Sequence, residues 1–166
     1  MPAPESLALR ACPVHDFADV CVVPLRRGAD TDPEAWLARV FDVRSAPTWV
    51  GLLFVARQAL SPLVGIPKGT LAAFAPARTE GEEVLVDTPD RHLHFWLGLA
   101  VRQDPPRLVA TTVVKLRGWR GRLYWLPVGF LHRPVLLAMM RRAVRRERRE
   151  RRVGLVRGWT RGVRRG

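Results

Sequence analysis

Between Arg91 and Val101 the chain runs RHLHFWLGLAV, and its large apolar residues fall on every second position. On an extended chain, successive side chains point to opposite faces. Leu93, Phe95, Leu97, Leu99 and Val101 therefore share one face, and His92, His94 and Trp96 share the other. Burying one large apolar side chain is worth ~1.5–3 kcal/mol. The apolar set thus dictates which way this strand faces. The same period of two recurs in TLAAFAPA (70–77), EEVLVDT (82–88) and RLVATTVVKLR (107–117). The joints RTEG, PD and RQDPP supply the Gly, Pro and Asp of tight turns. Closely spaced strands with short joints predict an antiparallel meander.

A sheet with one apolar face needs a cover. After Gly118 the apolar period lengthens to that of a helix. Leu131, Val135, Leu136, Met139, Met140 and Ala143 form its stripe. This helix is expected to restart at Pro127, carry its charged run into solvent and stop at Gly154. Upstream, FADVCVVPL (17–25) predicts a first or edge strand ending at Pro24. Asp32 followed by Pro33 predicts a helix N-cap with proline in the first turn. Trp36, Leu37, Val40 and Phe41 share a face of that short helix, which is expected to end near Arg44. Pro47 opens a second helix, with Trp49, Leu52, Leu53, Ala56, Leu60 and Val64 at helical spacing. Residues 48–66 are apolar enough to suggest a membrane span. Yet Arg57 lies at the middle, where an arginine costs roughly 2.5–3.5 kcal/mol on insertion, and Pro62 interrupts the run. A core-packed amphipathic helix is the expectation there. The fold class is α+β, a curved antiparallel sheet gripping a long C-terminal helix, with two short helices after the first strand. Residues 1–14 are expected to be a flexible start, 15–146 a single domain, and 147–166 an arginine-rich extension and tail.

The chemistry-bearing residues are sparse. A zinc site needs three or four Cys, His or acidic ligands. His92 and His94 instead have Lys115 and Arg117 on the same face of the neighbouring strand, which repel a cation. No metal and no cofactor are expected. Cys12 and His15 lie three apart in a loose stretch, and Cys21 sits within a strand as a small core residue. GIPKGT lacks the spaced glycine of a phosphate loop, and no G-x-G-x-x-G or G-x-S-x-G occurs. Glu80, Glu82 and Glu83 cluster at a hairpin tip as solvated surface. His132 stands out, a polar group on an apolar helix start, with Tyr124 and Trp125 just upstream. Its plain role is a hydrogen bond to a nearby carbonyl or a cap on the helix entry. Its functional role, shared with Tyr124, is that of a candidate general acid or base. Thr112 shares the inward strand face with Ala110, Val114 and Leu116. Trp36, Trp49, Phe54 and Phe74 are candidates to line, or simply to fill, the same interior.

Two cysteines cannot make a disulfide framework, which points to a reduced, cytoplasmic setting. The start MPAPESLALRACPV lacks the basic and long apolar regions of a signal peptide. Of 28 basic residues only Lys68 and Lys115 are lysines. Residues 141–166 hold 12 Arg against Glu147 and Glu150, so they carry +10 of the net +13. Glu147 and Arg151, four apart, suit a solvated helix. The alternative is anion binding through Arg141, Arg142, Arg145, Arg146, Arg148 and Arg149, with nucleic acid or an anionic membrane as partner of the tail only.

The order of DFADVCVVPL, PDRHLHF, TTVVKL and GRLYWLPVGFLHRPVLLAMMRRA resembles the bacterial domain-of-unknown-function family 2867 from about Asp16 to Ala143. The Gly-Arg-Leu-Tyr-Trp ahead of Phe-x-His-Arg is its most specific part. The family often has an acid where this chain has His94. The resemblance implies a helix-grip fold of the START-like (SRPBCC, Bet v 1-like) superfamily. Such folds hold apolar small molecules between sheet and long helix, and the family carries no established activity. A binding domain for an apolar or amphipathic small molecule is therefore expected, rather than an enzyme. An arginine-tailed interaction protein or a small cyclase- or hydrolase-like enzyme are the alternatives.

Overall fold

Five strands pair in the order β1-β5-β4-β3-β2, every neighbour antiparallel. The computed structural model describes residues 5–42, 48 and 75–163. In chain order the elements are α1 (Leu7–Ala11), β1 (Phe17–Pro24), α2 (Pro33–Val40), β2 (Arg78–Glu80), β3 (Glu83–Pro89), β4 (Leu93–Gln103), β5 (Pro106–Leu116) and α3 (Gly118–Val163). This is the expected α+β helix-grip layout. The last three strands follow the predicted meander. The second short helix predicted from Pro47, and most of the strand predicted over 70–77, lie outside the described residues.

The alternation in β4 sorts as expected. Leu97, Leu99 and Val101 are buried in one cluster with Leu136, Met140, Ala143 and Val144 of α3 and with Trp36, Leu37 and Val40 of α2. Phe95 packs on the same cluster. Trp96 faces the other way, with His94 stacked on its indole at 3.7 Å between ring centroids. Asp32 caps α2 by accepting from the Glu34 N–H at 2.9 Å, and Pro33 follows as predicted.

Arg78–Glu80, expected within the joint RTEG, instead forms the edge strand β2 paired with β3. Three further features differ from the expectation. First, the chain start is not loose throughout. Leu7, Ala8 and Cys12 pack on Leu85, Trp96 and Val113, so α1 covers the second face of the sheet. Ser6 caps α1, and the Glu83 carboxylate accepts from the Leu7 N–H at 3.0 Å and from Ser6 Oγ at 2.5 Å. Glu83 is therefore buried rather than a solvated hairpin acid. Gly98 makes this possible, because a Cβ there would lie 2.1 Å from Glu83 Oε1. Second, α2 ends at Val40, with Phe41 as its C-cap, short of Arg44. Third, α3 runs unbroken through Pro127 and Pro134 and past Gly154 to Val163. Near its start, Gly121 lets it approach the sheet, since a Cβ there would lie 2.1 Å from the His92 carbonyl oxygen.

Candidate functional site

The polar groups that converge between sheet and α3 come from β1, β5 and the first half of α3. Along β1, alternation turns Phe17, Asp19, Cys21 and Val23 toward the helix and leaves Ala18, Val20, Val22 and Pro24 exposed. Asp19 pairs in register with Thr112 on β5. Thr112 is fully buried, and His132 Nε2 lies 2.9 Å from its Oγ1, a hydrogen bond whose direction depends on the imidazole tautomer. Three rings surround the imidazole, with centroids 6.1 Å (Trp125), 6.2 Å (Phe17) and 6.5 Å (Phe95) away. Phe17 and Trp125 meet edge-on at 5.0 Å.

Burial in this aromatic setting pushes the His132 pKa below the ordinary imidazole value, and the charge of Asp19 works against that shift. The neutral ring is thus the favoured form. Asp19 in turn accepts from the Arg133 guanidinium, which also donates to the Val20 carbonyl at 3.3 Å. Arg133 thereby ties the edge strand to α3. Cys21 gives its thiol proton toward Asp19 Oδ2 at 3.5 Å, and burial, reinforced by that carboxylate, raises its pKa to about 12. A thiol so protonated is no nucleophile.

Trp36 sits in the filled core and donates its Nε1–H to the Asp30 carbonyl at 2.8 Å, with the Arg39 guanidinium over its ring. The rings around His132 are instead Phe17, Phe95 and Trp125. Tyr124 is half-buried. Trp49, Phe54 and Phe74 lie outside the described residues. The Cys12 thiol donates to the Val14 carbonyl at 3.2 Å, and His15 Nδ1 contacts the Cys12 carbonyl, so the two side chains are not paired with each other. His94 is held by Asp87 Oδ1 at 2.5 Å. Among the described residues no group of three or more Cys, His or acidic side chains is placed to hold a metal ion.

Asp19 and Arg133 escaped the sequence reading. The signal for Asp19 was the alternation of β1, which places it beside Cys21 on the inward face. No sequence signal linked it to Arg133, which is 114 positions away. Two surface recesses lie elsewhere. One, of about 420 Å³, opens beside α1 and is lined by Arg10, Arg78, Leu85 and Asp87 among others. The second, of about 270 Å³, is walled by Arg26, Arg148, Arg149 and Arg152. Neither is the expected sheet–helix cavity. Of the arginines proposed for anion binding, Arg146 is engaged by Asp42 and Glu150, while Arg141, Arg142, Arg145 and Arg149 are exposed.

A family model described as a protein of unknown function, DUF2867, matches residues 11–139. The chain belongs to the DUF2867 family. The match runs from the last residue of α1 to the middle of α3, and so includes every residue of the Asp19–Thr112–His132–Arg133 group. No curated protein and no solved structure matches the chain. The DUF2867 match carries no assigned chemistry.

Proposed function

We propose that this protein is a cytoplasmic, START-like binding domain for an amphipathic small molecule that enters by opening the packed seam of the sheet and α3, where neither recess lies. The observation that carries this reading is the His132–Thr112 contact of 2.9 Å, a polar pair inside a ring of aromatic side chains. Small-molecule sites are mostly apolar, with a few converging polar groups that fix orientation. A neutral imidazole beside a threonine hydroxyl offers one donor and one acceptor to a ligand hydroxyl or carbonyl. The flanking rings offer flat apolar surface to its body. Binding, rather than turnover, suits a site whose buried thiol stays protonated and whose histidine is paired with a threonine instead of a carboxylate.

A thermal-shift screen with isoprenoids, aromatic polyketides and single-chain lipids tests this reading. A ligand at 100 times its dissociation constant stabilises by about 2.7 kcal/mol, which is readily detected. Thr112→Val, which is nearly isosteric, should abolish most of the shift from any hit while leaving the unliganded protein folded. A panel that leaves the unfolding temperature unmoved, or hits that Thr112→Val does not affect, would refute the proposal.

A further inference from the structure

The first half of α3 exposes large apolar side chains. Trp119, Leu123, Leu126 and Phe130 follow one another at spacings of four, three and four, which is one face of a helix. Leu126 is 72% exposed and Phe130 84%. A contiguous apolar patch of this kind marks an interaction surface rather than chance exposure. Further along the same side come exposed Pro134 and then Leu137, which packs on the core. Beyond them Arg141, Arg145 and Arg152 are exposed, with Arg148 half-buried between them. The exposed positions on this side are thus apolar in the first half of the helix and basic in the second. The ion pairs of the described part of this helix fall largely elsewhere, at Arg146 with Asp42 and Glu150 and at Arg151 with Glu147. Arg120 lies over the Trp119 ring at 5.4 Å, and places a further positive charge at the apolar end.

We infer that this face of α3 docks on an anionic lipid bilayer, with the Trp119–Phe130 stripe in the headgroup–acyl boundary and the Arg141–Arg152 series on lipid phosphates. Amphipathic interfacial helices combine Trp, Phe and Leu on one side with basic residues that meet anionic headgroups. Each basic residue near such a surface adds roughly a fivefold gain in partitioning. Charge complementarity therefore names the occupant. A nucleic acid would use the arginines but has no use for the apolar half of the stripe. The stretch Gly118–Arg152 is long and apolar enough to cross a bilayer by length and composition alone. Its other face, however, carries Leu136, Met140, Ala143 and Val144 into the core, and Arg133 is tied to Asp19 of β1. A helix attached to a sheet in this way lies on the bilayer instead of threading it. Pro127 and Pro134 also withhold helical donors from the carbonyls of Leu123 and Phe130. Both carbonyls belong to the docking stripe, and headgroup water can satisfy them.

Co-sedimentation of the full chain with phosphatidylcholine vesicles, with and without phosphatidylglycerol, tests the inference. Two variants accompany it, Trp119→Ser/Leu126→Ser/Phe130→Ser and Arg141→Gln/Arg145→Gln/Arg152→Gln, both made at exposed positions and checked for unchanged far-UV circular dichroism. The wild type should pellet with the anionic vesicles and far less with neutral ones. The apolar variant should lose at least about tenfold in partitioning. The arginine variant should lose on the order of tenfold to a hundredfold at low salt, and much less at high salt. Any of these results would overturn the inference: an apolar variant that pellets like the wild type; equal pelleting with both vesicle types; or duplex DNA binding that displaces the vesicles and is untouched by the apolar changes. A wild-type dimer in analytical ultracentrifugation that the apolar variant dissociates, with no vesicle binding, would assign the face to a second copy instead.

Discussion

Glu83 shows how one residue's role depends on what the fold brings to it. Its carboxylate is buried and accepts from Ser6 Oγ and the Leu7 N–H, and Arg102 stands 3.6 Å from its second oxygen. Removing a buried acceptor leaves its donors unsatisfied, at a cost of ~1–3 kcal/mol. Glu83→Ala is expected to lower stability by that amount in urea unfolding. Glu82→Ala, at a neighbouring exposed position, should have little effect. His132 yields a pH prediction. Its folded pKa lies below the unfolded value of about 6.5. The unfolded chain therefore binds the proton more readily, and acid favours unfolding. Stability from this residue is complete above about pH 6.5 and falls as the pH drops toward the folded value. Unfolding curves between pH 7 and pH 5 should show that slope, and His132→Gln should flatten it. Asp16 acts lower on the scale. The Leu116 N–H holds its carboxyl below the usual carboxylate value, so its contribution is lost only in stronger acid.

At the scale of elements, the sheet is held from both sides. The α3 side supplies the larger cluster, and truncating a fully buried side chain there leaves a cavity. Met140→Ala should cost ~2–5 kcal/mol by chemical denaturation. The α1 side is five residues long and rests on Leu85, Trp96 and Val113. Deleting residues 1–12 should uncover that patch, raise the binding of a hydrophobic dye and lower the unfolding temperature, with the α3 core left in place. The helix itself has two working faces. Leu136, Met140 and Val144 face inward, while Phe130 and the arginines face out, so substitutions on the two faces separate stability from docking.

For the whole molecule, the charge is divided between a near-neutral body and a basic C-terminal region. The boundary between them is not where the charge begins. Val144 and Glu147 are buried, and Arg146 reaches Asp42, so the core contacts of α3 extend into the arginine run. Removing residues 144–166 is therefore expected to destabilise the domain, whereas removing 153–166 touches none of these contacts. Comparing the unfolding temperatures of the two truncations checks this boundary.

The strands, their faces and the long helix were legible because local periodicity and burial agree. Phe95, Leu97 and Leu99 had one face to choose, and Asp32–Pro33 one end of a helix to mark. The seam pair Thr112–His132 was half legible, since each residue was singled out but nothing in the sequence joined them. Long-range polar pairs leave no local trace. Asp19 with Arg133, and Ser6 with Glu83, depend on register and docking that no window of neighbouring residues encodes. Glu83 beside Glu80 and Glu82 has the pattern of a wet hairpin tip until α1 arrives to cover it. By itself the sequence determined which side chains must leave water, because transfer from water depends on side-chain chemistry and spacing alone. Only the tertiary structure decided which apolar residues remain outside. Trp119, Leu123, Leu126 and Phe130 have the composition of a core, and they stay exposed because the sheet occupies a different side of their helix.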